Sequence, residues 1–66
     1  MNAGKSIKVA MAKRDITQKD LAERMGVSRQ YVSQMISSEQ IGIGTINKLA
    51  DVFGMKVSEF LALGEE

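Results

Sequence analysis

Four side chains within six residues have the chemistry to read a nucleic-acid duplex: Arg29, Gln30, Ser33 and Gln34. Residues on a helix advance about 100° per position, so these four centre at about 70° from Arg29. Tyr31, Val32, Met35 and Ile36 centre at about 270°, on the opposite side. One face of such a helix is apolar and anchors it. The other carries a guanidinium, two amides and a hydroxyl, and no carboxylate. Arginine can donate two hydrogen bonds to guanine O6 and N7, glutamine can pair with adenine N6 and N7, and serine can serve either. A carboxylate on this face would meet phosphates. The competing reading is an ordinary solvated face, but exposed helices usually mix Glu with Lys and Arg, and this one carries no acid.

The elements that must hold this helix are also legible. Ser28 is its N-cap, and Val27 and Val32 occupy the two positions of a hydrophobic staple. The same grammar stands just before it, in Ile16-Thr17-Gln18-Lys19-Asp20-Leu21. Thr17 is the N-cap, Asp20 completes an approximate capping box, and Ile16 and Leu21 form the staple. That helix runs through Ala22 and Met25 and stops at Gly26, a residue suited to a left-handed turn. Two short helices joined at Gly26-Val27 are a helix-turn-helix signal, covering about 17–36.

An earlier helix places Ile7, Ala10 and Met11 on one face and should stop near Arg14-Asp15. After Ser37-Ser38-Glu39-Gln40 a loop runs through Gly42. A fourth helix follows with Ile43, Ile46, Leu49, Ala50 and Phe53 inward, ended by Gly54. A fifth runs to Leu63 from either Lys56 or Ser58. Ser58 is the better cap, whereas a start at Lys56 pairs Met55 with Phe60 as a staple. No strand pattern appears, so the expected fold is all-α, a compact bundle of five short helices.

Anions are drawn to the free backbone N–H groups at helix starts. Thr17-Gln18 and Ser28-Arg29 are two such places, which makes Gln18, Lys19 and Ser28 candidates for phosphate contacts. Ser37 and Ser38 follow the third helix and could donate to the backbone on its far side. Such contacts position a protein without reading sequence. Lys19 is equally consistent with a solvated lysine.

Composition narrows the function classes. The chain has 66 residues, the size of one small domain, read here as 1–66. Its hydrophobic content of 44% excludes a disordered chain. It has no cysteine and no histidine, which removes disulfides, most zinc sites, the serine–histidine–aspartate triad and cysteine nucleophiles. No catalytic residue, metal site or cofactor is expected. Apolar runs such as Val9-Ala10-Met11-Ala12 and Phe60-Leu61-Ala62-Leu63 fall far short of the roughly 20 residues that span a bilayer. A soluble, cytoplasmic protein without a membrane partner is expected. Net charge is only +1, yet residues 1–34 hold seven basic and three acidic side chains while 35–66 hold two and five. A basic half joined to an acidic half suggests a side that faces a polyanion.

Two glycine motifs fail on context. Gly4-Lys5-Ser6 matches the end of a phosphate-binding loop but lacks the earlier glycine and the preceding strand. Gly42-Ile43-Gly44 begins like a dinucleotide fingerprint, but Asn47 holds the third glycine position.

The stretch ITQKDLAERMGVSRQYVSQM, Ile16 to Met35, closely resembles the helix-turn-helix of the lambda-repressor/Cro-like (XRE-type) family. The shared features are Thr17-Gln18, Leu21-Ala22, Met25-Gly26-Val27-Ser28 and Val32. They continue through Ile43-Gly44-Thr45-Ile46, Leu49-Ala50, Phe53-Gly54 and Val57-Ser58-Glu59-Phe60-Leu61. The resemblance implies a five-helix domain that binds double-stranded operator DNA as a dimer. It implies base reading by Arg29, Gln30, Ser33 and Gln34, and a DNA-backbone contact by Gln18, which also braces the third helix. Tyr31 sits where relatives vary; its hydroxyl could reach a phosphate, its ring a thymine methyl, or it could cover the edge of the core. The turn Ile36-Ser37-Ser38-Glu39-Gln40-Ile41-Gly42 departs from the family in having no Lys, Arg or Pro.

The expected function is a Cro-like phage or prokaryotic repressor that binds a palindromic operator as a homodimer. Its recognition helices would enter major grooves about 34 Å apart. Phe60, Leu61 and Leu63 are the candidate dimer surface, the alternative being that Phe60 and Leu61 are core and Leu63 frays. The alternative function is an antitoxin-type module that binds a protein partner and represses its own operon.

Overall fold

The computed structural model describes residues 2–65. The helices are α1 (Ala3–Arg14), α2 (Gln18–Met25), α3 (Arg29–Ser37), α4 (Ile43–Phe53) and α5 (Val57–Leu63). No strand occurs among the described residues, and no helix is long and apolar enough to cross a membrane.

The helix ends follow from local chemistry. At α2, the Asp20 N–H donates to Thr17 Oγ1 at 3.1 Å, and the Thr17 N–H donates to Asp20 Oδ2 at 3.3 Å. Aspartate, one carbon shorter than glutamate, still closes the reciprocal box. Gly26 then ends α2 at φ +69°, a conformation that costs a residue without Cβ nothing. At α3, the Tyr31 N–H donates to Ser28 Oγ at 3.0 Å. The start of α5 is set by Glu59, whose Oε1 accepts from the Lys56 N–H at 3.3 Å. Ser58 therefore lies inside α5, and Met55, at the staple position before α5, is half-buried against the core to which Phe60 belongs.

All five helices contribute to one core. Ile7, Leu21, Val32, Leu49 and Phe60 are fully buried within it. The rings of Phe53 and Phe60 stack with centroids 6.1 Å apart. α1 packs on α3, α4 and α5, while α2 packs on α3 and α4. Ala22, small and buried, lies on the inner side of α2.

Ile43 corrects the expectation for α4. It is 67% exposed, whereas Ile46, Leu49, Ala50 and Phe53 are buried. The Cα–Cβ bond in a helix tilts toward the N-terminus, so an apolar side chain at the first position overhangs the end of the core.

Two tethers were not visible in the periodicity. The Arg14 Nε donates to the Phe53 carbonyl at 2.9 Å, tying the end of α1 to the end of α4. At the other end of α1, the Gly4 N–H donates to the Ser38 carbonyl at 2.8 Å and the Ala3 N–H to the Glu39 carbonyl at 3.0 Å. The free donors of one helix start thus hold the chain leaving α3. This approach needs glycine: a Cβ on Gly4 would collide with the Ile36 carbonyl oxygen and lie 2.7 Å from the Ser38 oxygen.

Candidate nucleic-acid interface

α3 separates its two sets of side chains as the helical projection requires. Val32 and Met35 are buried, and Ile36 is half-buried. Arg29, Gln30, Ser33 and Gln34 are all exposed on the other side. No carboxylate belongs to α3, and the first turn of α2 contributes only Asp20, which is engaged in capping Thr17. The exposed surface of α3 is therefore a hydrogen-bonding surface with one positive charge.

Gln18 stands at the first position of α2 and reaches α3. The Ser33 hydroxyl donates to Gln18 Oε1 at 3.1 Å. The two helices are thus joined above the Gly26 corner by side chains that both lie on the exposed surface. Lys19 is exposed beside Gln18. Ser28 is exposed, with its Oγ accepting the cap bond from Tyr31. Tyr31 itself is 40% exposed, so its ring neither enters the core nor stands clear of it.

Ser37 and Ser38 part company. Ser37 is the last residue of α3 and is exposed. Ser38 is half-buried, and its hydroxyl donates to the Gln34 carbonyl at 3.0 Å. Its proton is already used to close the end of α3, which leaves Ser37 the freer hydroxyl donor of the pair.

The structure also redistributes the residues of α5. Phe60 is fully buried and Leu63 is 9% exposed, both in the core of the chain itself. The ring of Phe60 stacks on Phe53, and Leu63 belongs to the same buried core cluster. Of the three apolar candidates on α5, Leu61 alone, half-buried, keeps side-chain surface for another molecule.

A short helix start, a glycine corner and a second helix with an exposed amide-rich face form a helix-turn-helix. The helix-turn-helix family model of Cro/C1 type matches residues 7–60 of the chain. The chain belongs to the Cro/C1-type (XRE) helix-turn-helix family. A search of curated proteins gave no match. This Cro/C1-type chain is a DNA-binding transcription regulator, and its five-helix fold is lambda-repressor-like. The family is regulatory rather than enzymatic. The matched segment starts at Ile7 and ends at Phe60, so it takes in most of α1, all of α2 to α4 and the first four residues of α5.

The resemblance implied that Gln18 braces α3, but sequence reasoning missed two contacts, the bond to Ser33 that makes the brace and the Gly4 approach. The first joins residues 15 positions apart, beyond any local pattern. The second had one available signal, a glycine inside the first turn of a helix.

Proposed function

We propose that this chain is a sequence-specific transcriptional repressor of Cro type, binding a dyad-symmetric operator as a homodimer. α3 enters the major groove of each half-site. Arg29, Gln30, Ser33 and Gln34 read base edges there, since the leading residues of a recognition helix are the ones that reach them. Gln18, Lys19, Ser28, Tyr31 and Ser37 meet the phosphates, and Ser38 steadies the end of α3. The observation that carries this reading is the α3 surface: four exposed polar side chains, free of acid, on a helix anchored by Val32 and Met35.

Selection of bound duplexes from a random DNA library at physiological salt tests it. The expected result is a palindromic motif, whose half-site spacing measures the dimer. Weak, salt-sensitive binding with no enrichment would overturn sequence-specific binding by the chain alone and favour a module that needs a protein partner. Arg29→Ala should cost about 1–3 kcal/mol on the selected site and relax one base preference. Equal loss on every DNA sequence would remove Arg29 from the base-reading set.

A further inference from the structure

We infer that Gln18 fixes the polarity of Ser33, leaving it as a hydrogen-bond acceptor toward DNA, so that Ser33 selects an exocyclic amino group. The inference rests on α3 lying in the major groove, and it adds which chemical group one position reads.

A serine hydroxyl has one proton and two lone pairs. Free to rotate, it accepts from an amino group or donates to a ring nitrogen or carbonyl, and so discriminates little between bases. In this fold it is not free. Ser33 Oγ stands 3.1 Å from Gln18 Oε1, an oxygen that only accepts, so in this pairing the hydroxyl is the donor. What remains for the groove is a lone pair. Adenine N6 and cytosine N4 are the major-groove donors, while guanine N7 and O6 and thymine O4 are acceptors. An acceptor-only Ser33 pairs with the first group and faces the second lone pair against lone pair.

The reverse arrangement, in which the Gln18 amide is flipped and its Nε2 donates to Ser33, has the same heavy-atom geometry. DNA decides between the two. Gln18 lies at the start of α2, beside the exposed Lys19 and the free N–H groups of the first turn. A phosphate drawn there offers only acceptors. It therefore takes the Nε2 hydrogens and turns Oε1 toward Ser33. Backbone contact, amide orientation and base preference become one chain of hydrogen bonds, each member polarising the next. Excluding water from the interface strengthens all of them, since both Gln18 and Ser33 are exposed in the free protein.

The experiment uses the full chain and its selected duplex. The base pair read by Ser33 is the one whose preference collapses when selection is repeated with Ser33→Ala. Binding is then measured to that duplex with the amino group of the pair deleted, using purine for adenine or 2-pyrimidinone for cytosine. In the wild type the deletion should weaken binding about fivefold, the net effect of one hydrogen bond. In Ser33→Ala it should cost nothing beyond the intrinsic effect of the analogue. Gln18→Glu keeps an acceptor for the Ser33 proton, so the fivefold sensitivity should persist while affinity falls on all sequences. Gln18→Lys keeps a phosphate-seeking cation but donates into Ser33 and turns its proton outward, so the sensitivity should vanish. A purely structural role for Gln18 would not separate these two variants. Equal amino-group sensitivity in wild type and Ser33→Ala, or in Gln18→Glu and Gln18→Lys, would overturn the inference. No selected motif in the wild type would instead overturn the operator-binding reading beneath it.

Discussion

Replacing Gly4 with alanine places a methyl group against backbone that has no rotamer to turn away. The added Cβ would overlap the Ile36 carbonyl oxygen and stand 2.7 Å from the Ser38 oxygen and 2.8 Å from the Ile36 carbonyl carbon. Overpacking of this kind costs about 1–3 kcal/mol. Moving α1 away to relieve it also stretches the Gly4–Ser38 hydrogen bond, now 2.8 Å, which adds about 1 kcal/mol. Alanine returns up to about 1 kcal/mol of helix propensity. The net loss is about 2 kcal/mol. Set against a total stability of roughly 3–10 kcal/mol for a chain of this size, that is a large fraction. It should lower Tm by about 8–16 °C in a thermal melt followed by circular dichroism. Gly44→Ala is the matched control, since nothing lies within 4 Å of a Cβ there and the residue is inside α4. It should hold or raise Tm, by up to about 1 kcal/mol of stability. If both variants melt at the same temperature, the close approach of α1 to the end of α3 is wrong.

Other perturbations probe the remaining joints. Ala22→Leu adds bulk to a residue only 3% exposed on α2 and should cost about 1–3 kcal/mol; an unchanged melting temperature would mean that α2 does not sit as tightly as described. Thr17→Ala removes the cap acceptor for Asp20 and should cost about 1 kcal/mol, with most of the loss restored in Thr17→Ser, as read by urea denaturation. Leu61→Glu leaves Phe60 and Leu63 in the core and should shift sedimentation-equilibrium mass from dimer to monomer; a persisting dimer would place the interface away from α5.

Much of this was written locally in the chain. Thr17 with Asp20, Ser28 with Tyr31, and the glycine at 26 are short-range instructions, and the helices obey them. The division of α3 into buried Val32 and Met35 and an exposed polar side follows from helical period alone. What escaped depends on where helices end in space. Ile43 obeys the apolar period of α4 but overhangs the core, because periodicity gives a direction and not a neighbour. Leu63 departed in the opposite sense: as the last residue of α5 it could have frayed, yet it is buried in the core. Gly4 read as part of a failed phosphate-loop match, and its reason for being glycine is the carbonyl of Ile36. That Gln18 braces α3 was expected from the family resemblance, but that Ser33 is its partner depends on how α2 and α3 cross, which sequence spacing does not measure.

The split of α3 into anchoring and exposed side chains has a consequence for how such a protein can change its target. The nine residues of the helix carry two jobs, and no side chain among Arg29, Gln30 and Gln34 is needed for the core. Those three positions can be rewritten like characters in an address while the envelope stays sealed. Position 33 is different, because its meaning is set by position 18 on another helix. Redesign of specificity therefore has three independent letters and one digraph, and libraries that vary Ser33 without Gln18 would sample half of a symbol.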